Sequence, residues 1–241
     1  MDYNFEKIIS YCENKNIEVT EQKLQQLAKF YELMVEKNKV MNLTGITEWD
    51  DVVLRHFIDS LSIVEVFDLN HFQGRVLDLG TGAGFPGIPL KIMFPNLSIV
   101  LFDSLNKRIK FLQEVIDELD LDLIEAIHGR AEEYGRNPSY REKFDLVVSR
   151  AVANISTLSE YCLPFVKIDG SFISYKTDSI EEEIQNAGKA ISILGGKISK
   201  LEHYTLFDSD MSRSLLEIKK IKSTGKKFPR KAGLPSKEPL S

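Results

Sequence analysis

The sequence predicts an α/β protein in which a doubly wound, largely parallel sheet follows a helical N-terminal segment and ends in an antiparallel strand pair. Three observations predict this. Helical periodicity fills roughly the first seventy residues. Short apolar segments alternate with helical ones from Arg75 onward, and two strand-like segments near the C-terminus have no helix between them. Nearly continuous apolar runs are typical of strands that are covered on both faces.

The N-terminal segment contains three helical patterns. Apolar residues within 5–12 recur at spacings that place them on one face of a helix. Thr20 provides an N-cap for a second helix. A third pattern covers residues 50–67, and a short non-helical bridge with Gly45 precedes it. These patterns predict a helical extension in front of the sheet.

The sheet is read from seven apolar segments. The five parallel strands are predicted at RVLDLG, LSIVLFD, LIEAI, FDLVVSR and SFISYK, with helices over residues 105–119, 155–166 and 180–194. KISKLEHYTL and SRSLLEIKKI are predicted to pair antiparallel at a sheet edge. We therefore divide the chain into a helical extension (1–72), a sheet domain (73–222) and a basic C-terminal tail (223–241).

The composition of the chain argues against a disordered protein, a membrane-spanning protein and a disulfide-rich secreted protein. With 43% hydrophobic residues the chain folds rather than staying disordered, and no apolar run is long enough to span a membrane. The first twenty residues lack a signal-peptide pattern, and Cys12 and Cys162 form no CxxC motif. A reducing cytoplasm is the simplest location. Histidine spacing indicates no metal site.

Charge is distributed unevenly along the chain. The last 23 residues hold eight basic residues and one acid, a net +7, whereas the rest of the chain carries −12. A basic tail on an acidic body indicates a polyanionic partner, and a solvated, frayed C-terminus is the alternative. Three prolines and a glycine in PRKAGLPSKEPL predict that this stretch forms neither a helix nor an inner strand.

The strongest local signal is RVLDLGTGAGFPGIPL. A buried strand runs into Gly80, Gly82 and Gly84, where the backbone has to turn sharply beside a ligand. Asp103 ends the next strand and has the chemistry to accept both hydroxyls of a ribose. Phe85 occupies the third-glycine position of the dinucleotide fingerprint GxGxxG, so that fingerprint fails. A dehydrogenase and a glycine turn without a ligand remain the alternatives.

The pattern here is DxGxGxG, which resembles motif I of class I S-adenosylmethionine-dependent methyltransferases. Four further segments extend the match: NLTGIT, RHFIDSL, GRAE with SRAV, and PRKAGLPSKEPL. Together the five closely resemble the bacterial ribosomal RNA small subunit methyltransferase G family, also called glucose-inhibited division protein B. The resemblance covers essentially the whole chain.

The resemblance implies a Rossmann-like class I fold with an antiparallel terminal hairpin and a helical N-terminal extension. It implies S-adenosyl-L-methionine as cofactor and methylation of N7 of guanine 527 in 16S ribosomal RNA. The partner would be that RNA or the small ribosomal subunit in the cytoplasm, with no membrane and no obligate protein partner. The implied cofactor-binding residues are Gly80, Gly82, Phe85, Asp103, Ser104, Ala131, Glu132 and Arg150. The implied RNA-facing residues are Asn42, His56, Arg130, Lys176 and Arg230.

Several of these residues have plainer interpretations. Arg150 follows a strand at the ligand edge, where it would position the base beside the methyl donor, and a salt bridge is the alternative. Asn42 is also a turn-former, with Thr44 expected to support it by capping. His56 would otherwise tether a loop, Lys176 would be solvated, and Arg130 would pair at the surface. Guanine N7 carries a free lone pair, so no general base is expected.

Three rival functions stay open on the sequence. They are an oxidoreductase on a similar fold, a non-catalytic RNA-binding or assembly protein, and a methyltransferase for a protein or a small molecule.

Overall fold

The computed structural model describes residues 3–150, 153–177 and 180–240, so Ala151 and Val152 of the SRAV motif lie outside the described residues. The strands are β1 (Arg75–Leu79), β2 (Ser98–Asp103), β3 (Ile124–His128), β4 (Phe144–Ser149), β5 (Val166–Lys176), β6 (Gly196–Thr205) and β7 (Ser212–Lys220). The helices are α1 (Glu6–Asn14), α2 (Glu21–Met41), α3 (Trp49–Val52), α4 (Asp59–Leu61), α5 (Gly87–Met93), α6 (Asn106–Glu118), α7 (Ala131–Tyr134), α8 (Ile155–Cys162), α9 (Glu181–Ile193) and α10 (Leu234–Lys237).

Seven strands of the described residues form one sheet in the order β3-β2-β1-β4-β5-β7-β6. The first five strands along this order are parallel, and β7 is antiparallel to both of its neighbours, β5 and β6. The predicted doubly wound sheet with an antiparallel terminal pair is confirmed. The order reverses between β1 and β4, and a crevice for ligands opens there at the carboxyl ends of the strands.

Apolar side chains cover both faces of this sheet. Along β1, Val76 packs in one core and Leu77 in the other, as the two-residue period of a strand requires. The first core lies under α1, α2, α5 and α6, and the second lies under α8 and α9. The N-terminal helices therefore share a core with the sheet. The division at residue 72 stays a prediction.

The third N-terminal helix is not a single regular one. It passes from α3 into a π-helical segment, Val53–Ile58, then α4, and ends as a 3-10 turn, Ser62–Glu65. Apolar spacing alone does not distinguish these helix types. The N-cap prediction is confirmed, since the Thr20 hydroxyl accepts a hydrogen bond from the Lys23 amide at 3.3 Å.

Two predictions for the C-terminal half were wrong. The helix predicted over 155–166 ends at Cys162, and a 3-10 turn with Pro164 follows it, since proline has no amide to continue the ladder. The tail forms a short helix, α10, because Pro235 falls in its first turn, where no intrahelical N–H bond is needed. Within the described residues, no helix has both the length and the apolar character to cross a membrane.

Candidate cofactor pocket and target-base site

The loop after β1 is built on backbone conformations that favour glycine. Gly80, Gly82 and Gly84 have φ values of +79°, +63° and +104°. The amides of Gly80 and Thr81 both donate to the Phe102 carbonyl on β2, at 2.8 and 3.2 Å. A Cβ on Gly84 would lie 2.7 Å from the Ile88 Cγ1 atom. The loop, residues 80–86, is therefore held tightly against β2 and α5.

Asp78 lies beneath this loop and connects its two ends. Its Oδ2 atom accepts hydrogen bonds from the Thr81 hydroxyl at 2.6 Å and from the Gly87 amide at 2.8 Å. The side chain is fully buried, and burial raises the pKa of Asp78 to about 7. The aspartate of the DxGxGxG pattern thus acts inside the protein, on the shape of the loop.

Asp103 ends β2 and faces the opposite side of the same loop. Its Oδ2 atom accepts from the Gly82 amide at 3.0 Å and from the Arg108 guanidinium at 3.2 Å, and Oδ1 accepts from the Leu105 amide at 2.8 Å. A carboxylate has about four acceptor positions, so these three donors leave one for a ligand hydroxyl. The side chain is fixed before any ligand arrives.

A cavity of about 350 Å³ opens above Asp103. Five of the predicted cofactor residues line it, namely Gly80, Asp103, Ser104, Ala131 and Glu132. Leu79, Phe102 and Leu158 add apolar surface. This wall fits a nucleoside cofactor. It offers a carboxylate at a strand end, apolar surface for a flat base, and a glycine that lets a ligand approach closely. The residues therefore suit S-adenosylmethionine.

A second cluster lies on the other side of the loop, around Phe85. The His56 ring stacks on the Phe85 ring at 4.4 Å, and the Arg150 guanidinium lies 5.0 Å from the same ring centre. Arg150 Nη2 lies 3.1 Å from His56 Nδ1, and His56 Nε2 lies 2.9 Å from the Thr44 hydroxyl. Gly82, Phe85 and Arg150 are not among the residues that line the cavity.

The protonation of His56 follows from its neighbours. Burial, reinforced by the Arg150 guanidinium, lowers the pKa of His56 to about 3. The ring is therefore neutral near pH 7, with Nδ1 accepting from Arg150 and Nε2 donating to Thr44. The alternative interpretation, a histidine that tethers a loop, describes this geometry. Thr44 supports His56 and the Ile46 amide rather than Asn42, so the expected capping of Asn42 was wrong.

Asp59 on α4 holds two arginines at this cluster. Its Oδ2 atom accepts from Arg150 Nη1 and its Oδ1 atom accepts from Arg213 Nε, both at 2.8 Å. Asp59 is 6% exposed. Sequence reasoning did not single it out, and its one signal was a position about one helical turn after His56. The salt bridge weighed as the alternative for Arg150 is present, and it fixes the guanidinium at the ligand edge.

The comparisons with known proteins decide between the classes that this geometry allows. The family model described as GidB, rRNA small subunit methyltransferase G, matches residues 23–211. The chain belongs to the GidB family. Relatives named Ribosomal RNA small subunit methyltransferase G from Clostridium novyi and Alkaliphilus metalliredigens are 48% and 49% identical over 229 residues. Each alignment covers 95% of this chain, with 94% and 95% of the respective relative.

Solved structures resemble this GidB-family chain at the level of the fold. M. jannaschii TYW2 in complex with AdoMet has a TM-score of 0.52 and 16% identity, covering 68% of this chain and 75% of that one. A Methanococcus jannaschii fibrillarin pre-rRNA processing protein has a TM-score of 0.50 and 17% identity, covering 65% and 70%. The predicted class I methyltransferase fold is confirmed, and the family uses S-adenosylmethionine.

Apart from His56, which lies in the Phe85 cluster, the residues predicted to face RNA in this GidB-family protein fall into two groups. Asn42, in the left-handed C-cap position of α2 (φ +51°), and Arg130, at the rim of the cavity, are exposed. Lys176 and Arg230 are bound inside the protein. Lys176 Nζ donates to Glu183 Oε2 at 2.8 Å and to the Ala153 carbonyl at 2.6 Å, so it braces the start of α8. The solvated state weighed for Lys176 is wrong.

Arg230 is paired with Glu160 on α8. Its guanidinium Nε and Nη2 donate to the Glu160 carboxylate at 2.7–3.0 Å, and its amide donates at 2.7 Å. The frayed tail considered from the sequence is wrong, because Phe228, Pro229 and Pro235 are buried. A direct RNA contact by Arg230 or Lys176 stays a prediction, and the observed geometry assigns both an anchoring position.

Proposed function

We propose that this protein transfers a methyl group from S-adenosylmethionine to N7 of guanine 527 in 16S ribosomal RNA. The observation that carries the proposal is the placement of two sites on one glycine loop in a member of the GidB family. The cofactor cavity with Asp103 lies on one side of the loop, and the cluster of Phe85, His56 and Arg150 lies on the other.

The cofactor is proposed to bind along residues 80–85 in the cavity. Asp103 would accept from the ribose, with Ser104 beside it, and Ala131 with Glu132 would lie at the adenine side. Bound S-adenosylmethionine supplies a methyl group on a positively charged sulfur that is already an activated leaving group. The fixed Asp103 carboxylate binds the nucleoside without reorganisation of the loop, since its three internal donors hold it in place.

The chemistry at the base needs positioning rather than proton removal. Guanine N7 is a resting acceptor with an in-plane lone pair, so no proton has to leave before it attacks. Arg150 presents a planar guanidinium suited to stacking or hydrogen bonding with the base, and Asp59 holds it there. His56 is neutral and already bonded at both nitrogens, so we assign it to holding Arg150 and the 42–47 bridge.

The RNA is proposed to approach across exposed cations. Arg130 at the cavity rim and Asn42 at the end of α2 are exposed, and so are Lys226, Lys227, Lys231 and Lys237 on the tail. Lysines at the surface would contact phosphates without reading sequence. We place the protein in the cytoplasm, where ribosomal RNA is modified, with the RNA or the small subunit as partner.

The test uses labelled methyl donor with small-subunit particles and with naked 16S RNA from cells that lack this enzyme. We expect label on one guanine, mapped to position 527 by the chain cleavage that N7-methylguanine permits. Label on adenine, on protein or on a small molecule would refute the specific assignment. If the protein binds a nicotinamide cofactor tightly and does not bind S-adenosylhomocysteine, the result would favour an oxidoreductase.

A pair of aspartate variants tests the cofactor site itself. Asp103→Ala removes the ligand acceptor, and we expect loss of S-adenosylhomocysteine binding of about a hundredfold or more, since a charge-assisted bond and the loop contact are both lost. Asp117→Ala on the exposed face of α6 is the matched control and should bind normally. A methylating Asp103→Ala variant with normal affinity would disprove the proposed ribose contact.

A further inference from the structure

We propose that residues 224–240, the C-terminal strap, form one wall of the cofactor cavity, so that cofactor affinity depends on the docking of the strap by Arg230. This inference rests on the proposed function of the cavity and extends it. Gly233 and Ser236 from the strap line the cavity together with Gly80 and Asp103 from the sheet. The chain thus closes the pocket with strap residues that lie more than seventy positions after Tyr161, the last of the other lining residues.

The strap is connected to the pocket at Glu132. The Glu132 Oε1 atom accepts from the Gly233 amide at 2.7 Å, and Glu132 is only 7% exposed. Its carboxylate is thereby shared between the cavity and the strap. A ligand that depends on the position of Glu132 depends on the strap as well, because displacement of Gly233 would leave a nearly buried carboxylate without this donor.

The main anchor of the strap is the Arg230–Glu160 pair. Glu160 is 0% exposed, and it receives donors from both the guanidinium and the amide of Arg230. Arg230 Nη2 also donates to the Glu238 carbonyl at 2.7 Å, which folds the end of the strap back on itself. A buried carboxylate without its arginine is costly, so undocking of the strap is opposed strongly at this point.

Two further arginines clamp the strap through its backbone. Arg136 donates to the Pro229 and Lys227 carbonyls at 2.8 and 2.9 Å. Arg141 donates to the Phe228 carbonyl at 2.8 Å and to the Thr224 carbonyl at 2.5 Å. These contacts hold the first part of the strap whatever its side chains are. The part that reaches the cavity is held by Arg230, by the Glu132 contact and by the Thr157 hydroxyl, which donates to the Pro235 carbonyl at 3.1 Å, and Arg230 is the charged anchor among them.

The strap also carries exposed lysines on its outer side. Lys226, Lys227, Lys231 and Lys237 face solvent, while Gly233 and Ser236 line the cavity. A polyanion bound by these lysines would contact the same segment that closes the pocket. Binding at the two sites is then coupled, and the coupling has the same magnitude in both directions.

The test measures S-adenosylhomocysteine binding by calorimetry to the full chain. Arg230→Ala should weaken binding about tenfold or more, since the strap loses its buried anchor. Lys189→Ala, which removes an exposed charge on α9 outside the strap, should change it less than about twofold. Unchanged affinity in a folded Arg230→Ala protein would overturn the inference. If the wild-type protein itself does not bind S-adenosylhomocysteine, the proposed function fails instead.

A second measurement uses the unaltered protein, in case the variant does not fold. Trypsin cleavage at the strap lysines is followed with and without saturating S-adenosylhomocysteine. We expect the ligand to slow cleavage within the strap about fivefold or more, and to leave cleavage at the exposed Lys39 of α2 unchanged. Equal rates with and without ligand at the strap sites would refute the closure of the cavity by this segment.

Discussion

At the scale of single residues, Asp59 supports the proposed target-base site through the two arginines that it holds. It is buried and pairs with both Arg150 and Arg213, one through each carboxylate oxygen. Asp59→Asn should destabilise the fold by about 2–4 kcal/mol, because two partly buried guanidinium groups lose their counter-charge. Denaturant unfolding measures this change, and kcat should fall more than S-adenosylhomocysteine affinity.

The control for Asp59 is an exposed acid in a surface ion pair. Glu36 pairs with Lys39 on α2, where both side chains are more than half exposed. Glu36→Gln should change the free energy of unfolding by less than about 0.5 kcal/mol. An equal, small effect in both variants would show that Asp59 holds neither arginine in solution.

Gly84 and Gly188 form a matched pair for glycine substitution. A Cβ at Gly84 meets Ile88 and Leu112 at 2.7 and 3.0 Å with φ at +104°, whereas a Cβ at Gly188, within α9, meets nothing within 4 Å. Gly84→Ala should cost about 2–4 kcal/mol from backbone strain and overpacking. Gly188→Ala should add up to about 1 kcal/mol through helix propensity. Thermal unfolding of the two variants checks the opposite signs.

His56 gives the fold a defined pH dependence. Folding lowers its pKa from the ordinary 6.5 to about 3, so the unfolded chain binds a proton first as the pH falls. The stability from neutral His56 is present above pH 6.5 and is lost as the pH falls toward 3. From pH 7 to pH 5, the stability advantage of wild type over His56→Gln should shrink by about 2 kcal/mol.

Asp78 changes the free energy of unfolding with pH in the opposite direction to His56. The comparison with the His56→Gln variant is needed to separate the two contributions. Its pKa rises from 3.8 to about 7 on folding, so stability falls as the pH rises between these values. Both proteins in the comparison contain Asp78, and its contribution cancels in their difference. A pH-independent difference between wild type and His56→Gln would mean that His56 titrates normally.

At the scale of elements, α2 supports the glycine loop from behind. Phe30 is 0% exposed, and its ring centre lies 5.3 Å from that of Phe85 and 6.1 Å from that of Phe57. Phe30→Ala should cost about 3–5 kcal/mol, the range for a large buried aromatic. Lys29→Ala at the adjacent, largely exposed position should stay within about 0.5 kcal/mol. Denaturant midpoints of the two variants measure the contrast.

Elements with strong periodicity were predictable, and those shaped by tertiary contact were not. Strands such as β1 and β4 show as nearly unbroken apolar runs because both faces are buried. The strand β5 starts at Val166, earlier than predicted. The sequence did not show this start, because the first residues of the strand include the exposed Asp169 and a register shift beside β4. The π-helical segment and the four-residue α7 and α10 have too few residues for a periodic signal.

At the scale of the whole molecule, the tail should account for part of the salt dependence of RNA binding. Each lysine that neutralises a phosphate contributes a counterion term. Lys226→Gln with Lys237→Gln should lower the slope of log affinity against log salt by about 1–2. Lys110→Gln with Lys189→Gln, two exposed lysines on α6 and α9, removes the same charge and should leave the slope unchanged.

The cofactor half of the site was more predictable than the RNA half, and the reason is geometric. Gly80 and Asp103 end adjacent parallel strands, so sequence and strand order alone bring them together. The partner of Arg150 is Asp59, 91 residues away in the chain, and the partner of Arg230 is Glu160, 70 residues away. Tertiary packing brings each pair together, and no local sequence pattern indicates it. The family resemblance placed Arg230 at the RNA-facing rim, and no local pattern could show that its position is set by the buried Glu160 carboxylate.

The loop between β1 and α5 has neighbours on both of its sides, which we assign to the two proposed ligands. The Gly82 amide is bonded to Asp103, and the Phe85 ring carries His56 and Arg150. Because this stretch is short and closely packed, we expect a shift of a few tenths of an ångström at one end to alter the contacts at the other. We therefore expect a mutation that alters the proposed pocket for the methyl donor to alter the proposed pocket for the accepting base as well.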